Sequence, residues 1–375
     1  MEDPNTEGVA LLILSDGTVL TGQPFGKKGT VFGEINFNTS MTGYQEMLTD
    51  PSSVSQIIVS SNSHIGNYGC KSDFKADRGG VSGFVCRNFS DHFSRYQGDL
   101  SLEEFMNNNN IVGICGVDTR ALVRKIRDKG TLRAVISSEG GEIDTLKGKL
   151  DEFHFDNGMN IVEEVFHAKA FDYGNENSSL KVAVVDFGVK ESLLDLLAQR
   201  DTYLRVFPGR TGWNEISEWN PDGILLSGGP GNPNEMGDAI DLAKEILESR
   251  IPAFGVCLGH QLLAIASGLT VDKLHPGDRG TNQPVLNLIS GLGEITAQNH
   301  GYGVVREDVE KHKDIVEISH VNLNNNSVEG LRWKDKNVFS VQYHPEGDSG
   351  PHDSRYLFDE FISIIKKNKQ VKVII

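Results

Sequence analysis

A chain of 375 residues is long enough for two ordinary domains, each with its own core. Hydrophobic residues make up 38% and charged residues 23%, with no long apolar run and no charged-then-apolar leader at Met1, which argues against a membrane or secretory route and for a cytoplasmic protein. The 36 basic against 52 acidic residues give a net charge of −16, which disfavours a nucleic-acid partner, because phosphate binding relies on clustered Lys and Arg; a small molecule or a protein partner is expected instead.

Apolar runs at 9–14 and 18–22 flank Asp16-Gly17, an Asp-Gly pair that signals a hairpin. Strand-like runs follow at 34–38, 56–60, 81–86, 111–117 and 132–136. Helical patterns lie at 102–107 and 118–129, the second opened by Asp118 and closed by Gly130. These elements predict a mixed α+β domain over residues 1–150. Residues 151–180 read as a connecting segment and linker, since 171–179 is polar and turn-rich. From 181 onward strands at 181–187, 203–208, 223–227 and 253–257 are interspersed with helices at 190–200, 234–250 and 259–267. That alternation predicts an α/β domain over 181–370, with a mainly parallel sheet flanked by helices. Shorter strand candidates occupy 271–343, polar tracts at 107–110 and 322–327 read as loops, and an amphipathic helix spans 356–367.

Four cysteines, Cys70, Cys86, Cys115 and Cys257, are spaced like neither a paired zinc knuckle nor a small disulfide framework, so each is judged alone. Gly255-Val-Cys-Leu-Gly259 sits where an apolar strand gives way to a helix, the arrangement of a nucleophile elbow with Cys in place of Ser. The two glycines permit a tight turn. The free N–H groups and dipole of the following helix favour the anionic thiolate, and the N–H of Leu258 is placed to hold an oxyanion. A lone cysteine is more often an inert core residue, and Cys70, Cys86 and Cys115, which lack such a setting, receive that reading.

Ser227-Gly-Gly-Pro-Gly-Asn-Pro233 also follows a strand. It has no Gly-Lys-Ser/Thr ending, and Pro230 and Pro233 interrupt it, so an oxyanion or substrate-binding role around Gly229 fits better than a phosphate loop. Gln342-Tyr-His-Pro-Glu346 closes the last strand-like run. A cysteine hydrolase needs an imidazole to exchange a proton with the thiol and with the leaving group, and a carboxylate to orient it; His344 and Glu346 supply both.

In this order, the Gly-Gly-Pro-Gly loop, Gly255-Val-Cys-Leu-Gly-His-Gln261 and Tyr343-His-Pro-Glu346 resemble the class I, triad-type glutamine amidotransferases. The resemblance implies Cys257 as nucleophile, His344 as base and acid, Glu346 as its orienting carboxylate, and an oxyanion hole at Gly229 and Leu258. Asn38-Thr-Ser-Met-Thr-Gly-Tyr-Gln-Glu-Met-Leu-Thr-Asp-Pro51, His64-Ile-Gly-Asn-Tyr-Gly69 and Val117-Asp-Thr-Arg120 are similar to the small subunits of carbamoyl phosphate synthetase, as are Asn299-His-Gly-Tyr302 and Ser349-Gly-Pro-His-Asp353. That similarity implies a glutamine pocket lined by Ser52, Gly229, Gly231, Leu258, Gln261, Asn299, Gly301 and Tyr302. It also implies hydrolysis of L-glutamine to glutamate and ammonia through a thioester, with ammonia passed to a separate large subunit in a hetero-oligomer. That partner would use bicarbonate, ATP and Mg to make carbamoyl phosphate for arginine and pyrimidine biosynthesis. No metal and no cofactor is expected on this chain.

Ser61-Asn-Ser63 stands where the family usually has Thr-Tyr-Pro, and 273–282 matches its glycine-rich segment only in part. Amidotransferase subunits feeding anthranilate or GMP synthesis lack a domain carrying 38–51. A silent regulatory subunit would have lost the nucleophile, and a peptide or ester hydrolase would act without a partner.

Overall fold

The computed structural model describes residues 8–72, 78–95, 98–154, 158–348 and 350–374. The chain divides between residues 155 and 156 into two compact units. In the first, the strands are β1 (Ala10–Leu14), β2 (Val19–Gly26), β3 (Thr30–Asn38), β4 (Gln56–Ser60), β5 (His64–Ile65), β6 (Gly83–Val85), β7 (Asn88–Phe89), β8 (Val112–Cys115) and β9 (Leu132–Ser137). Its helices are α1 (Tyr44–Leu48), α2 (Leu102–Asn108), α3 (Thr119–Lys129) and α4 (Ile143–Glu152). The strands close into a barrel in the order β1-β2-β8-β6-β4-β3-β9, while β5 and β7 pair apart from it. The mixed α+β expectation is thus sharpened to a closed barrel with helices packed against it.

Period-two alternation builds this barrel. Ala10, Leu12 and Leu14 join Ile35, Ile57, Val59, Ile114 and Ile136 in one core cluster, while Leu11 and Ile13 point the other way and pack with Leu146 and Leu150 of α4. The Asp-Gly hairpin joins β1 to β2 with Gly17 at φ 88°, and Asp118 caps α3 by accepting from the Ala121 N–H at 3.0 Å.

The second unit holds strands β10 (Phe171–Gly174), β11 (Leu180–Asp186), β12 (Thr202–Pro208), β13 (Gly223–Leu226), β14 (Ala253–Val256), β15 (Val271–Asn287), β16 (Gly293–Val304), β17 (Val316–Asn322), β18 (Val328–Trp333) and β19 (Val338–Val341). Its helices are α5 (Met159–Glu163), α6 (Glu191–Ala198), α7 (Trp213–Glu218), α8 (Gly237–Glu248), α9 (Leu258–Ala266), α10 (Arg306–Lys311) and α11 (Tyr356–Ile374). The sheet runs β10-β12-β11-β13-β14-β19-β18-β17-β15-β16. Pairing is parallel from β12 through β11, β13 and β14 to β19, and antiparallel in every other pair.

Two expectations are corrected. The sheet is mixed rather than mainly parallel, because 271–343 forms an antiparallel half whose first strand is long. Pro276, Gly277 and Gly280 look like breaks, but register shifts between Lys273 and Asp278 and between Gly280 and Gln283 absorb them within β15, and Pro284 keeps regular register opposite Ile295. The supposed linker at 171–179 begins with β10, an edge strand antiparallel to β12, where a polar face is tolerated. The parallel half is apolar on both faces: Val182, Val184, Leu225 and Val256 line one and Ala183, Val185, Ile224 and Leu226 the other, and Phe254, Phe339, Phe358 and Phe361 cluster where α11 covers it.

Candidate active site

Cys257 directly follows β14 and caps α9, with φ 51° and ψ −103°. For a residue with a Cβ this backbone costs on the order of 1–3 kcal/mol, so the surroundings must hold it. The Cys257 N–H donates to Val341 O at 2.9 Å, and its own carbonyl accepts from the Gln261 N–H at 3.2 Å as the helix begins. The side chain is 2% exposed. Gly255 and Gly259 serve close packing rather than a positive φ: a Cβ on Gly259 would collide with the Leu226 carbonyl, and one on Gly255 would lie 2.7 Å from Leu263 Cδ1. The positive φ of the turn belongs to the cysteine itself.

The other parallel strands end on the same side of the sheet, where α/β folds place their ligands. After β13, Gly228 sits between the two reactive side chains: a Cβ there would lie 2.9 Å from His344 Cε1 and 3.5 Å from Cys257 Cβ. A Cβ on Gly229 would collide with Phe187 O beyond β11, and Gly231 turns the loop at φ 99°. Three residues beyond β19, the His344 N–H donates to Ala297 O at 2.9 Å, which ties this loop to β16.

His344 Nδ1 lies 2.8 Å from Glu346 Oε1. A carboxylate accepts, so Nδ1 carries the hydrogen and Nε2, which has no hydrogen-bond partner among the described residues, is left for chemistry. Lys190, beyond β11, brings its Nζ to 3.3 Å from the same carboxylate oxygen, and Arg355 donates twice to Glu346 O, at 2.9 and 3.1 Å. Burial and the Lys190 charge press His344 downward, but the Glu346 carboxylate and the Cys257 thiolate overcome both and raise it to about 10. Burial would raise Glu346, yet the His344 and Lys190 charges hold it well below the usual carboxylate range.

Gln261, 4% exposed on α9, donates from Nε2 to Tyr302 O at 3.0 Å and to Gln342 Oε1 at 3.1 Å. Gln342 Nε2 approaches Cys257 Sγ at 3.8 Å, and Asn299 O stands 3.9 Å from the same sulfur. Asn299, Gly301 and Tyr302 therefore share one wall on β16, with Arg279 Nη2 3.3 Å from where a Gly301 Cβ would be. Leu258 begins α9, where a helix leaves its first N–H groups unpaired. Ten of the expected residues thus gather in the second unit. Ser52 belongs to the first unit, in the 3₁₀ turn Pro51–Ser53, with its N–H held by Asp50 Oδ1 at 2.9 Å.

Gln342, Lys190 and Gly228 were not singled out from sequence. Gln342 carried a signal, because positions 342, 344 and 346 alternate as a strand would present one face. Asp278, His300 and Glu329 bring donor atoms within 4.8 Å of one another, the spacing of a metal cluster. Their atoms are already engaged by Asn325, by Tyr302 O and Gln298, and by Gln298, Ser327 and Asn322 respectively, so this is a hydrogen-bonded network. Burial pushes the thiols of Cys70, Cys86 and Cys115 up, Cys70 to about 12.

A strained cysteine beside a buried His–Glu pair is the arrangement of a cysteine-dependent amidotransferase, and the family model for glutamine amidotransferase class-I matches residues 183–364. The model for the carbamoyl-phosphate synthase small chain, CPSase domain, matches residues 12–136. The carbamoyl phosphate synthase small chain of Clostridium acetobutylicum is 43% identical over 358 residues, covering 94% of this chain and 99% of that protein. Those of Bacillus cereus and Aquifex aeolicus are each 42% identical, over 96% and 95% of this chain and 96% and 98% of theirs. The chain belongs to the carbamoyl phosphate synthase small chain family. Among the described residues no helix is long and apolar enough to cross a membrane.

Proposed function

We propose that this chain is the glutaminase subunit of a glutamine-dependent carbamoyl phosphate synthase, with Cys257 as its nucleophile. The observation that carries this reading is the strained Cys257 facing the buried His344–Glu346 pair across Gly228. The thiolate Sγ attacks the carboxamide carbon of L-glutamine, and the N–H groups of Leu258 and Gly229 receive the oxyanion. His344, oriented by Glu346, gives a proton to the departing nitrogen, which leaves as ammonia, and the thioester remains. His344 then takes a proton from water, which releases glutamate and restores the thiol. Gly229, Gly231, Leu258, Gln261, Asn299, Gly301 and Tyr302 bind the substrate.

Ammonia passes in the cytoplasm to a separate large chain, which holds ATP and Mg and converts bicarbonate and ammonia to carbamoyl phosphate. This chain carries no cofactor of its own in this reading. The test is the protein that co-purifies with the full chain, together with glutamine-dependent and ammonia-dependent synthesis by that complex. Cys257→Ala abolishes the first and retains the second; unchanged use of glutamine in that variant overturns the assignment.

A further inference from the structure

Behind the 299–302 wall runs a line of buried polar side chains for which the hydrolysis just described has no use. Glu329 on β18 is fully buried, and donors surround its carboxylate. Oε2 accepts from Gln298 Nε2 at 2.8 Å, and Oε1 accepts from Ser327 Oγ at 2.9 Å and Asn322 Nδ2 at 3.3 Å. Gln298, on β16, also donates to Thr296 Oγ1 at 3.2 Å and turns its Oε1 to His300 Nε2 at 2.9 Å. His300 Nδ1 lies 2.8 Å from Tyr302 O, the carbonyl that also accepts from Gln261.

The protons along this line can be counted. Carbonyl oxygens only accept, so Nδ1 of His300 must carry a hydrogen for Tyr302 O. Gln298 Oε1 also only accepts, so Nε2 must carry a second one, which makes an imidazolium opposite a carboxylate. Turning the Gln298 amide over gives one alternative: its N–H donates to a bare Nε2, and its oxygen accepts from a protonated Glu329. Both arrangements contain the same single mobile proton. Without it, one acceptor faces another whichever way the amide lies, and a buried hydrogen bond is lost.

We propose that Glu329 is a positioning residue for the glutamine site, keeping through Gln298 the proton that fixes His300 and with it the 299–302 wall. The inference rests on the assignment of that wall to glutamine. Charged and titratable groups face the line from several elements: Asp278 and Arg279 from β15, His300 from β16, His260 from α9, His320 from β17 beside the uncharged Asn322, and Tyr343 and His344 beyond β19. Burial, joined by the Asp278 charge, raises Glu329 to about 7 against the hydrogen bonds from Gln298, Ser327 and Asn322. Burial drives His300 down to about 4, against Asp278 and the Tyr302 carbonyl, with Arg279 and His344 adding to the fall. The shared proton therefore rests on Glu329, the arrangement with the Gln298 amide turned over, and is lost as pH rises through neutrality, so glutamine binding weakens on the alkaline side.

The test is steady-state glutamine hydrolysis by the full chain, its co-purifying partner present, between about pH 6 and about pH 8.5. The KM for glutamine rises roughly 3- to 10-fold with the loss of one proton. Glu329→Gln supplies a permanent amide donor with nothing to titrate, so its KM stays flat over that range. Gln298→Leu cuts the line and raises KM at every pH, which decides the matter should the first variant not fold. A Glu329→Gln profile that keeps the original inflection, or a Gln298→Leu enzyme with unchanged KM, overturns the proposal. Either result with hydrolysis still dependent on Cys257 leaves the assignment of the nucleophile standing, whereas hydrolysis that survives Cys257→Ala removes the reading beneath both.

Discussion

The two halves of the ten-stranded sheet position their side chains by different means. In the parallel half, Cys257 and the 227–231 loop are set by backbone lying against backbone, with glycines at 255 and 259 wherever a Cβ would not fit. In the antiparallel half, the 299–302 wall is set by side chains, through the chain of hydrogen bonds from Glu329 by way of Gln298 to His300. Close packing is unforgiving but insensitive to pH. A polar network is adjustable, and its order depends on how many protons it holds.

Removing the nucleophile tests the parallel half most severely. Cys257→Ala lowers glutamine hydrolysis by at least about 1,000-fold, because no other group nearby can carry the acyl intermediate. The residue is small and buried, so the fold persists, and circular dichroism together with ammonia-dependent synthesis should match the parent. An equal loss of both activities would show that the elbow is structural first.

Glu346→Gln comes next. The amide keeps the shape but cannot stabilise the imidazolium, which lowers kcat/KM by roughly 100- to 10,000-fold. The pH profile carries the finer information. Glu346 helps to raise His344 to about 10, so the imidazolium persists until pH climbs through that value. In Glu346→Gln that proton is lost at lower pH, and the alkaline fall in rate moves down with it. A profile whose alkaline limb stays in place would mean that Glu346 only holds the loop, through the Arg355 bonds to its carbonyl.

This division explains what could be read from sequence. The elbow was legible because steric exclusion leaves a mark in the residue type: Gly255, Gly259 and the 228–231 glycines stand out beside an apolar strand. The role of those glycines was legible only in part. The two glycines were read as permitting the turn, whereas Cys257 itself takes the strained conformation. His344 and Glu346 could be found because their chemistry was sought once a thiol was in hand. The antiparallel half was hidden, since prolines and glycines inside β15 look like loop until a partner strand takes them into register or absorbs them as bulges. Gln298 and Glu329 lie 31 residues apart, and nothing local signals that they share a proton. The barrel had the same limit: its strands were found one by one, but closure depends on β1 pairing with β9, which no short window contains.

The smallest effect offers the sharpest contrast, because it uses the same substitution in both halves. Gly259→Ala pushes a methyl group into the Leu226 carbonyl and moves Cys257, so it destabilises by about 1–3 kcal/mol and impairs hydrolysis as well. Gly293, at the start of β16, has open space where its Cβ would be and an ordinary φ. There alanine removes chain entropy from the unfolded state with nothing to displace, so Gly293→Ala stabilises by about 0.4–1 kcal/mol and leaves hydrolysis alone. Urea denaturation of both variants checks the pair. Opposite signs of this kind would locate the steric constraint in the parallel half, whereas destabilisation by both alanines would mean that the antiparallel half is held by close backbone packing too.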